Sequence, residues 1–376
     1  MGAYLGKITR TRPECSPSHA NISTRADLVA SIRGSHVKIP DLQSLFSHWP
    51  QHVHPEVDRL DEYAKKTLEW IFSAPEDEAR LRKMKATEVA LFAASWWAFA
   101  PFEILCVATT LSIWLFVWDD EIDSSEFSSL IEDFKSASEF RQETLKFLEL
   151  SLSKERPEDI STLTNSRIIK CFKPVGDALA VHYNERQMDT FVKELTFFID
   201  MCQEEHKFQM TADIPTTEQY IKRRMGSSAV RVCLAINEYT TGHTMPEEIM
   251  KSDSMQTIWH ETNMIISTSN DIISIKKEIA LSQADTLIPL LFLKSRSIQG
   301  AIDEAAAIVS KSIERLETAE DKILSHYSGS PKTQEMIRDH INACKLACTA
   351  NLNWSLVSER YQLHVKTTAN GIDVVL

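Results

Sequence analysis

The sequence predicts an all-α fold in a single domain, and three observations carry that prediction. Only 9 glycines occur in 376 residues, too few for an α/β protein built on tight glycine turns. Apolar residues recur at helical spacing over long stretches that are parted by short turn signals. No long stretch alternates with period two, and no repeat recurs at fixed spacing.

Taken in order, the segment from Val37 to Pro55 reads as an irregular, Pro-punctuated approach to a first helix over 55–73. Helical patterns follow at 76–100 and 102–123. A Ser-rich connection over 124–134 leads to a helix over 136–153, and a polar, Pro-containing loop covers 154–164. Further helices are expected at 165–180, 183–209, 216–240, 246–282, 286–326 and 331–363. Their separators are Ile214-Pro215, Gly242-His243 and Ser328-Gly329-Ser330-Pro331. The expected organisation is a flexible arm over 1–36, a helical domain over 37–363 and a polar tail over 364–376.

A hydrophobic share of 43% and a charged share of 25% are those of a soluble globular protein. The net charge of −12 argues against a nucleic-acid partner, because phosphate backbones demand a basic face. An acidic protein that handles an anionic substrate needs metal ions to bridge the two. The seven cysteines, at 15, 106, 171, 202, 233, 344 and 348, lack C-x-x-C spacing and read as free thiols in the reducing cytoplasm. Cys344 and Cys348 share a helix face, but as buried small hydrophobes rather than zinc ligands. His48, His52 and His54 read as surface histidines in a loop.

Met1 to Arg12 has no continuous apolar core, so no signal peptide is expected. Gly6 stands where a myristoylation signal needs Ser or Thr. Residues 1–34, with Glu14 and Asp27 as their only acids, read as a disordered arm, with a transit peptide as the alternative. The apolar run from Val89 to Trp118 invites a membrane span. Pro101 and Glu103 interrupt it, no Lys or Arg lies within it, and DDEID follows at once. Two helices meeting at Pro101, the second buried in a helical core, are expected instead.

That second helix ends in Asp119, Asp120, Glu121 and Asp123. Asp119 and Asp123 are four residues apart and project from one helix face. Like charges so placed repel, and the helix C-terminus also disfavours anions. A hard divalent cation with oxygen ligands, Mg²⁺ in particular, resolves the conflict and bridges to phosphates. A second stripe lies in WHETNMIISTSNDIISIKKEIAL, where Asn270, Ser274 and Glu278 recur every four residues. An amide oxygen, a hydroxyl and a carboxylate on one helix face can chelate one Mg²⁺, with substrate oxygens completing the octahedron.

These motifs resemble those of the class I terpene cyclases, particularly the microbial and fungal single-domain sesquiterpene synthases. The likeness rests on Asp119-Asp120-Glu121-Ile122-Asp123, on Asn270-Asp271-Ile272-Ile273-Ser274-Ile275-Lys276-Lys277-Glu278 and on Arg360-Tyr361. It spans residues 37–363, and the phrase Ile39-Pro40-Asp41-Leu42 is also of the family's kind. The resemblance implies a class I terpenoid synthase-like helical bundle around a central active-site cavity. It implies Asp119, Asp120, Asp123, Asn270, Ser274 and Glu278 as ligands of three Mg²⁺ ions.

The same resemblance implies Arg224, Lys277, Arg360 and Tyr361 as diphosphate contacts, Arg224 standing where the family has a diphosphate-sensing arginine. Asp119, Arg224 and Tyr361 are thereby the expected catalytic residues. Gly226-Ser227-Ser228 would break the helix beside Arg224, and Ser228 stands where relatives often have glycine. Phe92, Phe116 and Trp354 are candidates for the apolar wall whose aromatic faces stabilise positive charge. The implied reaction is ionisation of an isoprenoid diphosphate, farnesyl diphosphate first, followed by cyclisation to a hydrocarbon or alcohol. Geranyl or geranylgeranyl diphosphate as substrate, a trans-prenyltransferase, and a non-catalytic helical binding protein are the alternatives. The enzyme is expected to act as a monomer or homodimer.

Overall fold

The helical spacing of the sequence becomes eighteen α-helices among the residues described in this computed structural model, 22–123, 126–154, 159–365 and 367–376. Cys15 and most of the expected N-terminal arm lie outside the described residues. The entry segment holds α1 (Arg25–Ile32), β1 (His36–Ile39), α2 (Leu42–Leu45) and α3 (Val57–Ile71). Then come α4 (Glu78–Lys85), α5 (Val89–Trp96), α6 (Phe102–Asp123), α7 (Phe134–Leu152), α8 (Arg167–Lys170), α9 (Lys173–His182) and α10 (Glu185–Gln209). The second half comprises α11 (Thr217–Ser227), α12 (Val230–Leu234), α13 (Asn237–Thr241), α14 (Glu247–Met250) and α15 (Asp253–Ala280). It ends with α16 (Leu287–Ser295), α17 (Ile298–His326), α18 (Pro331–Val357) and β2 (Ile372–Val375).

The all-α expectation holds, and the long helices start and stop close to where their signals lie. Five expected helices are nevertheless split. Glu88 at φ 53°, Ala229 at φ 57° and Arg296 at φ 58° put left-handed residues between α4 and α5, α11 and α12, and α16 and α17. Pro174 falls in the first turn of α9, where its missing N–H costs nothing, so 165–180 divides there. Ser252 caps α15 by accepting from Met255 N at 3.3 Å, which separates it from α14.

The domain edges also lie further out than the expected 37–363. Thr24 and Asp27 form a capping box that starts α1, which buries Leu28, Val29 and Ile32. Arg25 ties this helix to the second half by donating from Nε to the Asp285 carboxylate at 2.8 Å. β2 pairs antiparallel with β1, Ile39 opposite Ile372, so the tail is not free. Ile39 and Val37 from β1, with Ile372 and Val374 from β2, alternate into the core.

α6 is the one helix among the described residues long and apolar enough to cross a bilayer. Its middle is buried instead: Leu105, Ala108, Leu111, Ile113, Trp114 and Val117 are each 0% exposed. α6 packs against α3, α5, α9 and α13, and α15 against α17 and α18. That arrangement brings the C-terminal end of α6 and the C-terminal half of α15 to one end of the bundle.

Candidate active site

Four carboxylates leave the last turn of α6, and they meet different surroundings. Glu121 is taken by an ion pair with Arg80, whose Nη2 also donates to Val117 O at 3.1 Å. Arg80 thus removes Glu121 from the cluster. Asp120 lies 3.6 Å from Arg360 Nη2, and Asp123 accepts from Gln209 Nε2 at 3.3 Å. Burial, then the neighbouring Asp120, pushes the Asp119 carboxyl up to about 7. Burial, then Asp119, pushes Asp123 up to about 8. Glu205 on α10 adds negative potential to both.

The α15 wall is already wired. Asn270 Oδ1 accepts from Arg224 Nη2 at 2.8 Å, and Asn270 Nδ2 donates to Tyr361 Oη at 2.7 Å. Ser274 Oγ lies 2.5 Å from Glu278 Oε1 and 2.8 Å from Asn270 O, so its single hydrogen is shared between two acceptors. Burial and then Asp271 push Glu278 up to about 7. Asp271, a spacer in the motif, accepts from Tyr220 Oη at 2.7 Å and lies 3.3 Å from Arg224 Nη2. Lys277 stands 5.9 Å from the Tyr361 ring; Arg360 and then burial lower its ammonium to about 8.

Arg224 reaches this wall from α11, which is pressed tightly onto α10. A Cβ at Gly226 would lie 2.4 Å from Met201 Cγ and 2.9 Å from Phe197 O, so glycine is required there. α11 ends at Ser227, as expected for that run, and the chain turns through Ala229 before α12 begins. Asn263 clamps the break: its Nδ2 donates to Met225 O at 2.7 Å and its Oδ1 accepts from Ser228 Oγ at 2.9 Å.

One cavity gathers the predicted residues. Asp119, Arg224, Asn270, Arg360 and Tyr361 line it together with Phe92, Phe116 and Trp354. The three aromatic rings pack on one another at centroid distances of 5.1 to 5.6 Å. Arg360 lies 5.3 Å from the Phe116 ring, joining the charged rim to the aromatic wall. Asp120, Asp123, Ser274, Lys277 and Glu278 stand outside this lining, on the same two helices. Ser227, Ser228, Ser112, Ser267 and Asn351 also line it, and sequence reasoning missed the last three and Tyr220. Tyr220 precedes Arg224 by four residues, a helical spacing that could have revealed it.

Among the described residues no three His, Cys, Asp or Glu side chains converge on one point as a ready metal site. The donor set still fits a hard divalent cation. Its atoms are carboxylate, amide and hydroxyl oxygens on two facing walls, and Asp119 has no hydrogen bond among the described residues. Mg²⁺ commonly takes one or two carboxylates and fills its octahedron with water and phosphate oxygens, which suits two separate walls better than a closed cage.

Residues 110–315 match the model of terpene synthase family 2, C-terminal metal binding. Sesquiterpene cyclase hepA of Aspergillus oryzae is 31% identical over 349 residues, covering 91% of this chain and 93% of that protein. Germacrene A synthase of Nostoc punctiforme is 25% identical over 320 residues, covering 84% and 94%. In fold, the chain is similar to a linalool/nerolidol synthase of Streptomyces clavuligerus. That likeness has a TM-score of 0.69 at 15% identity, over 84% of this chain and 98% of the other. A hedycaryol synthase aligns with a TM-score of 0.68 at 17% identity, over 83% and 97%.

Proposed function

Because this chain belongs to the terpene synthase family and is a class I terpene cyclase, we propose that it ionises farnesyl diphosphate with three Mg²⁺ ions and cyclises the resulting allylic cation. The product is a hydrocarbon or an alcohol, and diphosphate is released. The single observation that carries this reading is the cavity itself, with carboxylate and basic groups at its rim and Phe92, Phe116 and Trp354 on its wall. The sesquiterpene cyclase relatives support the fifteen-carbon substrate.

Asp119, Asp120 and Asp123 on one side, with Asn270, Ser274 and Glu278 on the other, would hold the metal ions. When bound, Mg²⁺ supplies the positive charge that binds the diphosphate to an acidic protein and stabilises it as a leaving group. Arg224, Lys277, Arg360 and Tyr361 contact the diphosphate, and its arrival competes for the bonds that now tie Arg224 to Asn270 and Asn270 to Tyr361. Below the rim, the aromatic faces offer their quadrupoles to the migrating cation, and the apolar wall keeps bulk water out.

Release of diphosphate from farnesyl diphosphate alone, dependent on added Mg²⁺, tests the proposal. A need for isopentenyl diphosphate as co-substrate would make the protein a prenyltransferase, and no release at all would make it a binding protein. Product profiles from geranyl, farnesyl and geranylgeranyl diphosphates test the choice of substrate.

A further inference from the structure

The apolar wall of the cavity has a polar interruption that ionisation of the diphosphate does not use. Asn351 lies on α18 three residues before Trp354, so it sits on the same helix face about 4.5 Å further from Arg360. It lines the cavity and is 7% exposed. Its Nδ2 is buried without a hydrogen-bond partner, and neither atom of the amide is bonded among the described residues. A buried amide left unpaired is costly, and a leucine would complete the wall without that cost.

The two serines that also face the cavity below its rim have spent their hydrogens elsewhere. Ser112 Oγ donates to Ala108 O at 3.0 Å, and Ser267 Oγ donates to Asn263 O at 2.6 Å. Both therefore present lone pairs alone, whereas Asn351 brings donors and an acceptor. A water molecule held in a cavity needs two to four polar partners of mixed kind. Asn351 is the group among these three that supplies both kinds, and its helix packs against α15, which carries Ser267.

We propose that Asn351 holds a water molecule against the carbocation and thereby sets an alcohol as the main product. The inference rests on the cyclase reading above and deepens it. In the terminating step the water oxygen forms a C–O bond to the cationic carbon with one of its lone pairs. The oxonium so formed gives one proton to the diphosphate co-product, leaving a neutral alcohol and a protonated diphosphate. Asn351 acts as a positioning residue for the water and makes no bond to the substrate.

The test incubates the full chain with Mg²⁺ and farnesyl diphosphate in ¹⁸O-labelled water and reads the products by mass spectrometry. The expected main product is an alcohol that carries the label. Asn351→Leu should shift the ratio of alcohol to hydrocarbon toward hydrocarbon by at least about tenfold, since a site built to bond a polar group discriminates strongly. Asn351→Ala, which removes the amide without adding bulk, provides a second variant should the leucine prevent folding, and Asn351→Gln should restore part of the alcohol. The ratio is independent of total turnover, so a merely structural loss would leave it unmoved. An unlabelled or purely hydrocarbon product from the natural chain overturns the proposal, as does an unchanged ratio in both variants. Absence of any diphosphate release would instead overturn the cyclase reading beneath it.

Discussion

At the mouth of the cavity, Asp119 accepts no hydrogen bond among the described residues and Asp123 accepts one, from Gln209 Nε2, whereas lower in the bundle Glu194, Glu238 and Glu261 are each paired with an arginine. Glu194 lies eleven residues before Glu205 on α10, about 16 Å down the helix. It accepts from Arg231 Nε and Nη2, both at 2.7 Å. Glu238 Oε1 accepts from Arg186 Nη2 at 2.5 Å, Gln187 Nε2 at 3.2 Å and Met245 N at 2.7 Å. Glu261 takes Arg315 Nε and Nη2 at 2.7 and 2.8 Å. The lower carboxylates are buried and each is held by an arginine, and the upper ones are pushed up to about 7 and 8. One fold thus carries solved and unsolved charge side by side, and the unsolved charge marks the site.

The largest expected effect comes from removing that unsolved charge. Asp119→Asn should cut kcat/KM by about a thousandfold while raising the thermal midpoint of the metal-free protein, because it deletes a carboxylate that burial and Asp120 disfavour. A lowered midpoint would break the comparison, since Asp119 would then be stabilising the fold. Arg231→Met should do the converse at the lower end. It strands Glu194, 4% exposed, and should cost about 3 kcal/mol in urea unfolding. A cost below about 1 kcal/mol would place that pair among ordinary surface bridges.

Between these extremes stands Tyr220, which belongs to the mouth yet is fully engaged. Its hydroxyl donates to Asp271 Oδ2 at 2.7 Å, and Asp271 in turn lies 3.3 Å from Arg224. Tyr220→Phe should cost about 2 kcal/mol of stability, as expected for a hydrogen bond to a charged group. Unchanged stability would mean that Asp271 draws its support from Arg224 alone.

How far the sequence reveals these features depends on their range along the chain. α6 is legible at both ends because Pro101 and the acidic cluster are local signals, and Asn270, Ser274 and Glu278 are legible because their spacing is helical. Arg80 with Glu121, and Tyr220 with Asp271, are separated by 41 and 51 residues, so no local spacing announces either pairing, although Tyr220 itself stands one helical turn before Arg224. The splits at Glu88, Ala229 and Arg296 are silent for another reason. Left-handed positions usually announce themselves by glycine or asparagine, and here other residues hold them. The strand that ends the chain is hidden because its partner lies more than 300 residues away, at His36–Ile39.

The smallest expected effect tests whether the lower end is as settled as its carboxylates suggest. His340, 1% exposed, accepts from Trp259 Nε1 at 3.0 Å through Nε2 and stacks parallel to that indole. A protonated ring would set a second N–H against the indole N–H, and burial lowers the imidazole to about 4. An unfolded histidine titrates near 6.5, so between about 6.5 and 4 the unfolded chain binds the extra proton and stability falls as pH falls. From pH 7 to pH 5.5 the loss from this one group should be about 1 kcal/mol. His340→Gln keeps an acceptor for the indole and cannot titrate, so its stability should fall less over the same interval by that amount. Equal losses in urea unfolding of the two proteins would show that the imidazole charges without penalty, and the lower end would then hold an unsolved group of its own.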